Sequence, residues 1–232
     1  GLHVRADGSA LALSDQGDVF AFRIIERDGR PTAVDRAHMS ALRDSDGHTG
    51  NKKERDSEAL LVDDRAATAR IAFEGSNSIA RYAIAGERAW TAVASARPAA
   101  MQAWPANAGA ESMVALPDGR LLLLSEEAPG DERVGAGLLF AAGDDRGERP
   151  QRFTYVPPEG FRATDATLLD ERHLLILNRH FTPLTGVMAA LTVVAVDDLV
   201  DGARITGREI ARLKPPLSVD NMEGISVTRD GA

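Results

Sequence analysis

The 232-residue sequence contains no cysteine. This absence excludes disulfide bonds, thiolate zinc sites and cysteine nucleophiles together, and it fits a cytosolic protein or a periplasmic protein that needs no disulfides. Long apolar runs are also absent. The longest nearly apolar run is Val187–Val196, whereas a membrane-spanning helix needs about 20 residues, so we expect no membrane span. No signal peptide is visible, although a chain that begins with Gly1 rather than Met could have lost a leader.

Basic residues are fewer than acidic ones, 27 against 35, which gives a formal net charge of −8. Because the negative charge is spread along the chain, a polyanion such as DNA would be repelled, and we expect no nucleic-acid partner. The sequence also lacks the G-x-S-x-G elbow of α/β-hydrolases. A phosphate-binding loop and the dinucleotide glycine fingerprint are missing as well.

The most informative feature that is present is an internal repeat of about 55 residues. Short apolar runs flank acidic turns, as expected for β-hairpins. The residues that open successive hairpins are spaced by 58, 53, 54 and 58 positions. These residues are Leu2, Leu60, Met113, Thr167 and Ile225, and the turns are Asp7-Gly8, Asp63-Asp64, Asp118-Gly119, Asp170-Glu171 and Asp230-Gly231.

Further strands can be placed in each repeat. Asp35–Arg43 shows possible helical periodicity, but it lies where the first repeat should have its fourth strand. The predicted strands after the turns are Ala10–Leu13, Thr68–Phe73, Arg120–Leu124 and His173–Leu177, and the outer ones are Ile79–Ile84, Trp90–Ser95, Gly137–Ala141, Gln151–Val156, Val187–Val196 and Arg208–Leu213.

Four short strands per repeat are typical of a β-propeller blade. The sequence therefore predicts an all-β protein, a single propeller domain over residues 1–232 with five or six four-stranded blades in the intact ring. The closing blade, which starts near Ile225, is incomplete in this chain. A β-sandwich with accidental spacing is the alternative, but it does not explain why one chemical signature recurs at each repeat start.

That signature is an acid followed by a small residue and then an apolar one. Its members are Glu58, Glu111, Asp165 and Glu223. The first strand of a blade lines the central channel, so acids at its start should converge on one mouth of that channel. The second strand returns to the same face and should bring further groups there, at Ser14-Asp15, Phe73-Glu74, Ser125-Glu126-Glu127 and Asn178-Arg179.

Crowded carboxylates disfavour ionisation unless something compensates. Hard cations such as calcium bind several carboxylate oxygens, and this chemistry predicts a calcium site formed by Glu58, Glu111, Asp165, Glu223 and Glu126. Pairing with arginine and proton sharing are the other solutions. The structural alternative is that each acid accepts hydrogen bonds from backbone amides where blades meet.

The order and spacing of these short motifs resemble the phytase-like domain family, described as having esterase-like activity of phytase, over nearly the whole chain. Asn178 stands where that family more often has an acid before the arginine. The motifs are Gly1-Leu2, Leu13–Gly17, Ser57–Leu60, Phe73-Glu74, Ile79–Tyr82, Asn107–Glu111, Asp118–Arg120, Thr164–Ala166, Leu177–Arg179 with Phe181, and Asn221–Ile225.

The resemblance implies a bacterial propeller, export to the periplasm or exterior, and hydrolysis of phosphate or other esters. We accordingly predict a monomer that acts on a small-molecule ester or phosphate ester. Glu58, Glu111, Asp165 and Glu223 would hold calcium or activate water, and Arg179 would stabilise developing negative charge. The alternative is a non-catalytic propeller that binds a small ligand or a protein partner, because propellers host many unrelated functions.

Overall fold

A computed structural model describes residues 1–51, 55–84, 90–144, 148–184 and 186–228. In these ranges the chain forms seventeen β-strands and one short 3-10 helix, Val196–Asp198, with no α-helix. The prediction of an all-β protein is therefore confirmed. No helix in the described part of the chain has the length and apolar character needed to cross a membrane.

The first half of the chain forms two antiparallel four-stranded meanders. Their outermost strands, β4 and β8, pair in parallel through a short stretch and so join the meanders into one eight-stranded sheet. The strands of the first meander are β1 (Leu2–Val4), β2 (Ser9–Leu13), β3 (Asp18–Arg27) and β4 (Arg30–Arg43), and those of the second are β5 (Ser57–Asp63), β6 (Thr68–Phe73), β7 (Ser78–Ala83) and β8 (Trp90–Ala96).

The second half forms two more sheets. The third meander contains β9 (Ala110–Ala115), β10 (Leu121–Ser125), β11 (Gly135–Phe140) and β12 (Gln151–Val156), and the fourth contains β13 (Arg162–Leu168), β14 (His173–Thr182), β15 (Gly186–Ala195) and β17 (Arg208–Leu213). In one sheet, β16 (Arg204–Thr206), which lies between β15 and β17 in the sequence, runs parallel to the outer strand β12 and so connects the fourth meander to the third.

The predicted strands occur close to their expected bounds. Thr68–Phe73, Gln151–Val156 and Arg208–Leu213 agree at both ends. The segment Asp35–Arg43 is not helical, because it is the second half of β4, which pairs with β3 as far as Ala41 and with β8 through Leu42 and Arg43. The turn predicted at Asp230-Gly231 lies outside the described residues.

The inner strands β1, β5, β9 and β13 surround a central cavity of about 140 Å³. All five residues predicted to open the repeats line it: Leu2, Leu60, Met113, Thr167 and Ile225. Four-stranded sheets arranged radially around a channel are the architecture of a β-propeller. The number of blades and the repeat boundaries stay predictions.

Three hydrophobic clusters hold successive meanders together, as expected where the apolar faces of β-sheets pack on one another. Val19, Ile71 and Trp90 belong to the cluster between the first and second meanders. Trp104 and Phe140 belong to the cluster between the second and third. The third cluster, between the third and fourth meanders, includes Leu122, Tyr155, Leu174 and Val194. This packing fixes the strand ends that carry the acids.

Candidate active site

Two of the predicted acids lie at β-bulges at the start of inner strands. Glu58 is the extra residue between Ser57 and Ala59 in the pairing of β5 with β6. Glu111 is the extra residue between Ala110 and Ser112 in the pairing of β9 with β10. A bulge bends the strand and re-aims the side chain it carries. Both residues lie at the mouth of the central cavity where the inner strands begin, and the charge of Glu58 helps to raise the pKa of Glu111.

Glu58 belongs to a carboxylate triad with Asp56 and Glu74. One carboxylate oxygen of each residue lies within 4.8 Å of the others. Glu74, at the end of β6, is buried, and its Oε1 accepts the backbone N–H of Gly109 at 3.0 Å. The backbone N–H of Glu74 in turn donates to the carbonyl of Asp56 at 2.8 Å. The triad is therefore held by backbone contacts within the second meander and to the third.

Burial, and after it the charges of neighbouring acids, raises the pKa values of these carboxyls. Burial, followed by the charges of Glu74 and Asp56, raises the pKa of Glu58 to about 7. Burial raises the pKa of Glu74 to about 7, with a smaller contribution from Asp56 and Glu126 and an opposing one from the Gly109 N–H. Burial and the neighbouring Glu58 and Glu126 raise the pKa of Glu111 well above its ordinary value. At neutral pH this mouth can hold protons that ordinary carboxyls have lost.

Arg179, at the far end of β14, supplies a positive charge to the same mouth. Its guanidinium donates to Glu223 and, at 2.6 Å, to Oδ1 of Asn221, and it lies 3.6 Å from Oε1 of Glu126. Burial raises the pKa of Glu126, and the charges of Arg162 and Arg179 oppose that rise. The positive charge of Arg179 thus compensates the carboxylates of Glu126 and Glu223. The carboxylates of the triad have one another as close neighbours instead.

Asp165 has a different environment. It is buried, its Oδ1 accepts the N–H of Ala166 and its Oδ2 accepts the N–H of Ile225, both at 2.8 Å. Burial raises its pKa to about 6, and these N–H groups oppose the rise. In the fourth meander the extra residue of the bulge is Thr164, so Asp165 keeps its place in the β13–β14 pairing, opposite Leu177. With this shift of one residue Asp165 lines the central cavity, and its carboxyl accepts backbone N–H groups rather than facing other carboxyls.

The sequence did not single out every group at this mouth. Arg162 lies opposite Arg179 in the β13–β14 pairing, and its guanidinium is 2.8 Å from Glu127. Its position at the start of an inner strand, next to the recurring acid motif, is the feature of the sequence that could have identified Arg162.

A second group of potential metal ligands lies on the exposed loop after β4. Asp44, Asp46 and His48 also bring three potential ligand atoms within 4.8 Å of one another.

The geometry defines a class of protein. It is an all-β protein whose sheets surround a channel with carboxylates at one mouth. The sequence matches the family described as "Phytase-like: Esterase-like activity of phytase" over residues 1–232, and the chain therefore belongs to that family. No curated protein matches the sequence.

Solved structures give only distant similarities. The chain resembles a hydrazine synthase structure from Kuenenia stuttgartiensis with 11% identity and a TM-score of 0.44, covering 92% of this chain and 65% of that one. It resembles a putative 6-phosphogluconolactonase from Bacteroides uniformis with 13% identity and a TM-score of 0.39, covering 88% and 54%. The chain thus spans less than two thirds of the length of these proteins.

Proposed function

We propose that the protein is a hydrolase of phosphate or other esters that acts at the carboxylate-lined mouth of its central channel. The observation that carries the proposal is the meeting of the Asp56–Glu58–Glu74 triad with Glu111 and Arg179 at one place. Acids with raised pKa values beside a cation are a common feature of catalytic sites. The family description, esterase-like activity of phytase, supports the same class of reaction.

The triad fits a hard cation such as calcium. Calcium binds carboxylate oxygens at about 2.3–2.6 Å, so ligand oxygens within 4.8 Å of one another can share one ion. The raised pKa values of Glu58 and Glu74 reflect burial first and the charges of neighbouring acids second, and a bound cation would offset both. A calcium ion at this position would polarise the ester oxygen of a bound substrate. Asp56, Glu58 and Glu74 are therefore the residues we assign to holding it.

The remaining groups of the mouth have separate roles in the proposal. Glu111, with its pKa raised by burial and by Glu58, would take a proton from the attacking water and return it to the leaving oxygen. Arg179 would stabilise the negative charge that develops on the substrate. Glu126 and Glu223 hold the guanidinium of Arg179 in place. Asp165 holds the segment that carries Glu223, through its contact with the Ile225 N–H.

The metal part of the proposal is tested by calorimetric titration of calcium into chelator-treated protein. We expect saturable binding near one equivalent, weakened by Glu58→Gln. Asp46→Asn is the matched control, because it removes a carboxylate from the exposed cluster on the loop after β4. Absence of binding, or equal weakening by both variants, would refute a calcium site at the triad.

The catalytic part is tested with a panel of chromogenic carboxylic and phosphate monoesters. We expect turnover of at least one of them, lowered by about 100-fold or more in Glu111→Gln, since positioned acid–base groups contribute roughly that much. A protein that binds calcium but hydrolyses none of the panel would favour the alternative, a non-catalytic propeller that binds a ligand or a protein. Export stays a prediction, and fractionation of the producing bacterium with the full-length gene product tests it.

A further inference from the structure

A second cleft, distinct from the carboxylate mouth, lies between the first and second meanders and has a volume of about 580 Å³. It exists because β4 and β8 pair only through Leu42 with Trp90 and Arg43 with Thr91. Beyond this contact the chain leaves β4 as a loop at positions 44–50, while β8 continues to Ala96. The loop and the strand form the two walls of the cleft.

The floor of the cleft is apolar. Phe73, Ala80, Tyr82 and Ala92 line it, and all four are largely buried. Hydroxyl groups of serines surround this floor, on Ser45, Ser76, Ser78 and Ser95. Ligand sites of about 300–1,000 Å³ with an apolar lining and a few polar groups are usual for small molecules. The cleft has the size and lining of such a site.

Three arginines line the same cleft, Arg43, Arg55 and Arg97. The Nε atom of Arg55 is buried and has no hydrogen-bond partner among the described residues. The stem of Arg55 is fixed over Gly17, where an added Cβ would lie 2.7 Å from the Cβ of Arg55. A buried donor without an acceptor is costly, and a movement of the Arg55 side chain towards an anion in the cleft would give this nitrogen an acceptor.

Three arginines outnumber the carboxylate that lines the cleft, which belongs to Asp44. Its Oδ1 already accepts the backbone N–H groups of Asp46 and His48, at 2.9 and 2.8 Å. Its carboxylate is therefore engaged by its own loop, whereas Arg55 and Arg97 form no ion pair with the described residues. The cleft combines an apolar floor with an excess of guanidinium groups.

We propose that this cleft binds a small organic anion whose ring-sized apolar body lies on Phe73 and Tyr82 and whose acidic head group contacts Arg55 and Arg97. Planar guanidinium groups suit carboxylate and phosphate oxygens, which they can bind through two parallel hydrogen bonds. The apolar floor distinguishes such a ligand from inorganic phosphate. The site is independent of the proposed hydrolase reaction, since it shares none of the residues assigned to that reaction.

The test is calorimetric titration of the full chain with phenylphosphonate and with benzoate, which share a ring but differ in the head group. Neither can be turned over as an ester, so binding is separated from hydrolysis. We expect saturable binding of one or both, weakened about tenfold or more in Arg97→Gln, because a charge-assisted hydrogen bond is lost. The tighter of the two probes identifies the head group.

Matched controls locate the binding. Arg65→Gln removes an exposed arginine from the β5–β6 turn, and Glu58→Gln alters the carboxylate mouth, so neither should change the affinity. Phenol lacks the charge, inorganic phosphate lacks the ring, and each should bind at least tenfold more weakly than the better probe. No saturable binding, equal effects of Arg97→Gln and Arg65→Gln, or inorganic phosphate binding as tightly as phenylphosphonate would each overturn the proposal.

Trp90 offers a second readout at the cleft itself. Its ring centroid lies 6.1 Å from that of Tyr82, which lines the floor. The only other tryptophan is Trp104, which belongs to a different cluster. In Trp104→Phe, where Trp90 is the sole tryptophan, ligand binding should change the fluorescence with the same dissociation constant as calorimetry gives. A titration with no fluorescence change at saturation would place the ligand elsewhere.

Discussion

Replacing Glu74 by Gln should stabilise the metal-free protein at alkaline pH and remove part of its pH dependence. Glu74 is buried in the triad, and its pKa in the folded protein is about 7, against an ordinary value of 4.5. The folded state therefore binds a proton that the unfolded state has released over this interval. Because stability falls with pH wherever the folded state binds more protons, the free energy of unfolding should decrease as pH rises from about 4.5 to about 7.

The magnitude follows from the two pKa values. Each unit of difference corresponds to about 1.4 kcal/mol, so Glu74 alone should lower the free energy of unfolding by about 2 kcal/mol between about pH 5.5 and about pH 8.5. Glutamine keeps an oxygen that can accept the Gly109 N–H, so Glu74→Gln removes the charge while it preserves the hydrogen bond. The free energy of unfolding of Glu74→Gln should therefore fall by about 2 kcal/mol less than that of the parent over the same pH range.

The assay is urea denaturation of both proteins at the two pH values, in the presence of a chelator. Calcium, if it binds the triad as proposed, should raise the stability of the parent at the higher pH and flatten its profile. Identical pH profiles for the parent and Glu74→Gln in chelator would refute the assignment of a raised pKa to Glu74. That outcome would not bear on calcium binding, which the titration measures separately.

Three further changes test other parts of the structure. Gly137→Ala should destabilise the protein by about 1–3 kcal/mol in urea denaturation, because the added Cβ would lie 2.1 Å from Cζ of the buried Phe153 ring. An unchanged denaturation midpoint would show that the ring moves aside without cost. Tyr155→Phe should cost about 1–2 kcal/mol, since the phenol bonds Asn178 and Thr192 inside the protein. Asp165→Asn offers one acceptor oxygen instead of two, so the backbone amide of Ile225 should exchange its hydrogen faster than in the parent. An unchanged exchange rate would contradict the proposal that Asp165 holds the segment that carries Glu223.

The sequence by itself determined where the strands lie and the order in which they follow one another along the chain. Alternating apolar residues and acidic turns act over a few neighbours, so Thr68–Phe73 and Gln151–Val156 could be bounded correctly without knowledge of the rest of the chain. Asp35–Arg43 was ambiguous for the opposite reason. Its conformation is set by pairing with β3, and periodicity alone does not reveal a pairing partner.

Part of the site could also be predicted from the repeat. Equal spacing placed Glu58 and Glu111 at equivalent strand starts, and the return of the second strand placed Glu74 and Arg179 nearby. The identity of the triad could not be predicted, because Glu74 becomes a neighbour of Asp56 and Glu58 only through the β5–β6 pairing and its bulge. The cleft lined by Arg55 and Arg97 lay beyond sequence reasoning as well, since it arises from where β4 and β8 cease to pair.

Only the tertiary structure decided which of the recurring acids act together. Asp165 matches Glu58 and Glu111 in spacing, yet its strand places the extra residue of the bulge at Thr164. Successive residues of a strand point to opposite faces, so a shift of one position changes the direction of the side chain. Asp165 consequently accepts two backbone N–H groups, while Glu58 and Glu111 meet other carboxyls at the channel mouth. The sequence specifies the acid at each repeat, and the register of each strand pair determines where its charge lies.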